Sequence, residues 1–117
     1  MIEPKELADR IAKQLDEKKA SDVAIINISQ KASFADYFVL ASGGSDRQMG
    51  ALVEVVEDLL EPEGIFPKNI EGKKTSGWIL MDYGDLIVHI FSRDDRLFYD
   101  LERIWRDGKV VENVEEL

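Results

Sequence analysis

Between Pro4 and Lys19 the apolar residues Leu7, Ile11 and Leu15 recur every fourth position, with Ala8 and Ala12 beside them and Lys5, Asp9 and Asp16 elsewhere around the circumference. That spacing predicts an amphipathic helix. Pro4 suits its first turn, and Lys18 and Lys19 face the negative end of its dipole. The period then changes. Asp22–Ser29 and Tyr37–Ala41 are strand-length runs rich in β-branched and aromatic residues, joined by the polar connection Gln30–Asp36. Ser45 with Gln48 three residues later forms a capping box ahead of Leu52, Val55, Val56, Leu59 and Leu60, which predicts a second helix stopped by Gly64. Glu61–Ser76, broken by Pro62, Gly64, Pro67 and Gly72, reads as a connection with a short edge strand around Gly64–Pro67.

The stretch Ser76–Ser92, SGWILMDYGDLIVHIFS, sets two apolar runs on either side of Asp-Tyr-Gly-Asp and predicts a hairpin. With Tyr83 and Gly84 as the turn, Trp78 falls opposite His89, and Asp82 opposite Asp85. Alternation then gives one wholly apolar face, Ile79, Met81, Leu86, Val88 and Ile90, which needs helices over it. The other face is mixed: Trp78, Leu80, Asp82, Asp85, Ile87 and His89. From Arg93 to Asp107, Leu97, Phe98, Leu101, Ile104 and Trp105 make the apolar stripe of a third helix, ending at Gly108. Residues 109–117 read as an acidic tail expected to fray. The order helix, strand, strand, helix, strand, strand, helix predicts one α/β domain over residues 1–117, a mixed β-sheet with flanking helices. Strands joined by short loops should be antiparallel, while the return over the second helix can place a parallel pair.

Composition narrows the chemistry. With 24 acidic against 15 basic residues the chain carries a net charge of −9, and Ser45–Gly64 holds six carboxylates against the single Arg47. Nucleic-acid affinity comes largely from Lys and Arg releasing counterions, so no direct binding to DNA or RNA is expected, whereas a basic protein partner suits the charge. The absence of cysteine excludes disulfides, thiolate metal sites and thiol catalysis. The N-terminal segment lacks the basic-then-apolar pattern of a signal peptide, and no window has the apolar length of a membrane span. A cytoplasmic location is the expectation.

Ala41–Gln48, ASGGSDRQ, places a Gly-Gly-Ser turn between a strand and a helix N-terminus, where backbone N–H groups can hold an anion, and it echoes the turn of nucleotidyltransferases. Capping by Ser45 accounts for the same residues. An enzyme of that type would use Ser45 with Asp82 and Asp85 around magnesium, but the carboxylates following the turn, Asp46, Glu54, Glu57 and Asp58, lie on a helix at the wrong spacing. Asp82 and Asp85 equally suit turn aspartates that accept their own backbone hydrogen bonds. His89, the single histidine, reads as packed and hydrogen-bonded. Trp78 has two readings: an interface hot spot with a polar rim, or an indole covered by Phe98 or Trp105.

Three segments, ADYFVLASGGSDRQ (Ala35–Gln48), GWILMDYGDLIVHIF (Gly77–Phe91) and RLFYDLERIW (Arg96–Trp105), closely resemble the Iojap family, the ribosomal silencing factors RsfS. The resemblance runs in order over the chain, departing at Gly44, where a larger polar residue is usual, and at Ser92, where histidine is common. It implies a nucleotidyltransferase-like fold without the catalytic carboxylates, and no enzyme activity, cofactor or metal. It also implies binding to the fourteenth protein of the large ribosomal subunit on the face that meets the small subunit. Subunit joining is thereby blocked and translation repressed. The partner contacts it implies are Trp78, Ile79, Leu80, Asp82 and Tyr83, and homodimers are common in such proteins.

Overall fold

The computed structural model describes residues 3–28, 35–73, 77–92 and 109–111 of the 117-residue chain. In chain order they form α1 (Pro4–Glu17), β1 (Ser21–Asn27), β2 (Tyr37–Gly43), α2 (Asp46–Leu60) with a 3-10 turn at Glu61–Glu63, β3 (Asn69–Lys73), β4 (Trp78–Asp82), β5 (Leu86–Ser92) and β6 (Lys109–Val111). The strands make one mixed sheet in the order β3-β4-β5-β2-β1-β6. As expected, strands linked by short connections, β1 with β2, β3 with β4 and β4 with β5, run antiparallel. The return over α2 makes the central β2–β5 pair parallel.

α1 buries Leu7, Ala8, Ile11, Ala12 and Leu15 as its spacing predicts, and α2 buries Met49, Leu52, Val56 and Leu60. Both helices cover the same face of the sheet, over Ile25, Val39, Met81, Val88 and Ile90. Burying such side chains stabilises the fold by roughly 1.5–3 kcal/mol each. β2 and β5 are buried along nearly their whole length, as strands at the centre of a sheet must be.

α1 ends with Lys19 in the left-handed region (φ 71°), so that Ala20 N–H donates to the Leu15 carbonyl and Lys19 N–H to that of Asp16. Ser45 caps α2, its Oγ accepting from Gln48 N–H at 3.1 Å. Gln48 returns the bond through Oε1 to Gly44 N–H at 2.6 Å and donates through Nε2 to the Lys19 carbonyl at 3.2 Å. One glutamine thus closes the start of α2 and ties it to the end of α1. Arg10 reaches from α1 to Glu63 at 2.9 Å, a half-exposed pair linking the helix to the 3-10 turn.

The structure departs from the sequence reading in three places. The hairpin pairs Trp78 with Phe91, Ile79 with Ile90, Leu80 with His89 and Asp82 with Ile87, a slide of two residues. The turn is Gly84–Asp85, closed by Tyr83 N–H to the Leu86 carbonyl at 2.9 Å, and Gly84 takes φ 89°. The edge strand lies at Asn69–Lys73 rather than Gly64–Pro67. Gly64, at φ 76°, closes the 3-10 turn, Pro67 has no N–H to give a ladder, and pairing starts with Lys68 N–H on the Asp82 carbonyl at 2.7 Å. Residues 109–111, read as the start of a fraying tail, pair antiparallel with β1 as the outermost strand. The helix expected at Arg93–Asp107, and the tail beyond Val111, lie outside the described residues.

Candidate functional site

β4 alternates, so its side chains divide. Ile79 and Met81 point into the core under the helices, with Ile79 only 5% exposed. Trp78, Leu80 and Asp82 share the opposite face and are half-exposed. The pairing extends this face across the sheet in rows: Trp78 beside Phe91, Leu80 beside His89 and Leu40, Asp82 beside Ile87 and Phe38. Phe91, His89, Leu40 and Phe38 are all buried. Exposure on this face therefore rises toward β4. β4 is not an edge strand, because β3 pairs along its whole length.

Among the described residues, His89 and Phe91 hold the indole of Trp78. Its Nε1–H donates to His89 Nδ1 at 3.1 Å. Its ring stacks on Phe91 at a centroid distance of 5.6 Å and an interplanar angle of 16°, and on His89 at 5.8 Å and 25°. Phe38 meets the His89 ring edge-on at 4.5 Å. Such aromatic pairs contribute about 0.5–1.5 kcal/mol each beyond the area they bury. His89 is thus packed and hydrogen-bonded, as its residue type and strand context suggested, but it reaches Trp78 diagonally rather than from directly opposite.

Asp82 serves its turn: Oδ1 accepts from Gly84 N–H at 2.8 Å. The Asp85 carbonyl accepts from Asp36 N–H at 2.7 Å and Tyr37 N–H at 3.2 Å, fastening the turn to the start of β2. Asp82 lies opposite Ile87, not Asp85. Ser45 follows the far end of β2, whereas Asp82 and Asp85 sit where β2 begins. Six residues of strand separate the two ends, about 20 Å at the usual rise. The Gly-Gly-Ser turn and the two aspartates do not converge on one ligand, and the Gly44 N–H that could hold an anion is already bound by Gln48. Among the described residues, no group of three or more carboxylate or imidazole side chains is placed to hold a metal.

Tyr83, at the hairpin tip, is half-buried against the helix-side core, and its hydroxyl has no hydrogen-bond partner among the described residues. Burial first, and then the carboxylates of Glu57 and Glu61 at the end of α2, push the phenol up to about 12. Glu57 itself is raised by burial and by Glu61, Asp58 and Glu54. The acidic run seen in the sequence is therefore concentrated enough at the end of α2 to act on its neighbours.

Sequence reasoning passed over two surface residues. Phe66 is 61% exposed and Ile70 41%, both near the β3 edge. Phe66 stands between Ile65 and Pro67 in a punctuated connection with no period to flag it.

The family model described as "Ribosomal silencing factor during starvation" (RsfS) matches residues 1–117. A protein of Halalkalibacterium halodurans named Ribosomal silencing factor RsfS is 35% identical over 107 residues, covering 92% of each chain. One of the same name from Zymomonas mobilis is 38% identical over 107 residues, 92% of this chain and 80% of the relative. A crystal structure of a protein from Chromobacterium violaceum superposes with a TM-score of 0.83 at 30% identity, covering 89% of this chain and 87% of that one. The chain belongs to the RsfS family of ribosomal silencing factors, the family its three motifs resemble.

Proposed function

We propose that this domain acts without catalysis, docking by the outer face of β4 onto a basic protein of the large ribosomal subunit and standing in the way of the small subunit. In this reading Trp78 is the anchor, with Leu80 and Asp82 beside it on the same face and Tyr83 at the turn, while Ile79, a contact by the resemblance, is buried in the helix-side core and fixes the strand instead. The partner is the fourteenth large-subunit protein on the intersubunit face, as the family resemblance implies. The observation that carries the proposal is the half-exposed indole, with a half-exposed leucine and a carboxylate beside it, on a face whose other described aromatic residues are buried. A large rigid apolar group with a polar rim suits the centre of a protein interface. The net charge of −9 draws the domain to a basic protein and away from surrounding RNA phosphates.

Repression then needs only bulk. A domain seated where two large particles must meet prevents their closing, and no cofactor, metal, membrane or nucleic-acid contact enters the scheme. Acting on ribosomes, it works in the cytoplasm. Self-association into a homodimer belongs to the same reading, and sedimentation of the free protein tests it. Co-sedimentation with purified large subunits tests the docking face: wild type should pellet with them and a Leu80→Ala variant should pellet less. Equal pelleting of Leu80→Ala and of Trp78→Ala with wild type would overturn the assignment.

A further inference from the structure

We infer that His89 is the positioning residue of the docking surface: by accepting the Trp78 indole N–H it holds the ring in the pose that meets the partner. The inference rests on the docking role proposed for Trp78. Its ground is geometric. His89 is 3% exposed, so its ring is fixed by packing between Phe38, edge-on at 4.5 Å, and Phe91, parallel at 6.0 Å and 8°. Its Nδ1 is 3.1 Å from Trp78 Nε1. A nitrogen that accepts from an indole N–H must carry its lone pair, so the proton of the neutral imidazole resides on Nε2. The histidine is the fixed partner, and the half-exposed indole is the group being placed.

Phe91 and His89 restrain different motions. Stacking on Phe91 sets the plane of the indole. The bond to Nδ1 fixes the direction of the N–H within that plane, because the N–H is a single directed donor. An anchor already in its bound pose loses less rotamer freedom on docking, which is how preorganisation raises affinity without adding a contact to the partner. His89 itself need never touch the ribosome.

The test compares His89→Asn, whose side-chain oxygen can stand near the place of Nδ1, with His89→Leu, similar in size and without an acceptor. The readouts are the indole N–H resonance of Trp78, assigned by its loss in Trp78→Phe, its exchange with water, thermal stability, and binding to purified large subunits. His89→Leu should speed indole N–H exchange and weaken binding about tenfold, the scale of one hydrogen bond, while His89→Asn retains most of both. An indole N–H as protected in His89→Leu as in wild type would overturn the inference. So would equal loss of binding in the two variants in step with equal loss of stability. Should His89→Leu free the indole while Trp78→Ala binds like wild type, the docking reading fails and the exchange data still support His89 as the holder of the ring.

Discussion

Gly72 lies against the backbone of Trp78 so closely that a Cβ at position 72 would overlap the Trp78 carbonyl oxygen. Gly72 also takes φ 86°, which side-chain-bearing residues rarely adopt. Both constraints fall within β3, the strand that shields the outer edge of β4. Gly72→Ala should therefore destabilise the domain by at least about 2 kcal/mol, through overlap and backbone strain together. Chemical denaturation checks this, and a midpoint equal to wild type would show that β3 does not have the register described.

The start of α2 makes a second prediction. Ser45→Ala removes one cap and should cost about 1 kcal/mol. Gln48→Ala should cost up to about 1 kcal/mol, although Gln48 is not the cap itself, because it removes the side-chain partner of both Gly44 N–H and the Lys19 carbonyl at exposed positions that water can reach. The double variant should fall short of the sum, since the two side chains share one capping arrangement. Full additivity in thermal melts would mean that they act independently.

The face assignment was legible in the sequence, and the register was not. Side chains alternate with period two, so a slide of two residues leaves every residue on its face, and Ile79, Met81, Val88 and Ile90 reach the helix-side core in either register. The turn chemistry did contain the correction. A two-residue turn starting at Tyr83 asks a tyrosine for a positive φ, whereas starting at Gly84 gives that demand to glycine. Burial of the outer face was not legible, because the exposure of Trp78 depends on neighbours brought in by β5 and β2 rather than on its own strand. The hydrogen bond to His89 is diagonal across the hairpin and could be found only with the right register. Membership of the family was carried by three ordered motifs, which composition alone could not supply.

Tyr83 predicts a pH dependence with a definite sign. The native phenol keeps its proton to about 12, while the unfolded chain releases it near the ordinary value of 10.0. Between these values the unfolded state binds fewer protons than the native one, so stability falls as pH rises through that window and is fully present below it. Tyr37 is shifted in the same direction by burial and by Asp36 and Glu3, so the comparison must be with Tyr83→Phe. That variant should lose part of the alkaline slope. At neutral pH its stability should stay within about 1 kcal/mol of wild type, because the hydroxyl removed has no partner among the described residues. An unchanged slope between pH 10 and 12 would contradict the burial assigned to the phenol.

Loss of Trp78 should separate binding from folding. Trp78→Ala removes a half-buried ring and its stack on Phe91, so some stability is lost, but the helix-side core is untouched. At a temperature where circular dichroism shows the variant folded, its affinity for large subunits should drop by about 2 kcal/mol or more, the scale of an interface hot spot. The most direct measurement is a subunit-joining assay in which purified small and large subunits are mixed with increasing amounts of wild-type or Trp78→Ala protein and the joined ribosomes are quantified by sedimentation. Wild type should reduce the joined fraction in a dose-dependent way, with Trp78→Ala needing about thirtyfold more protein for the same effect. Unhindered joining at saturating wild-type protein, or equal potency of the folded variant, would contradict the account.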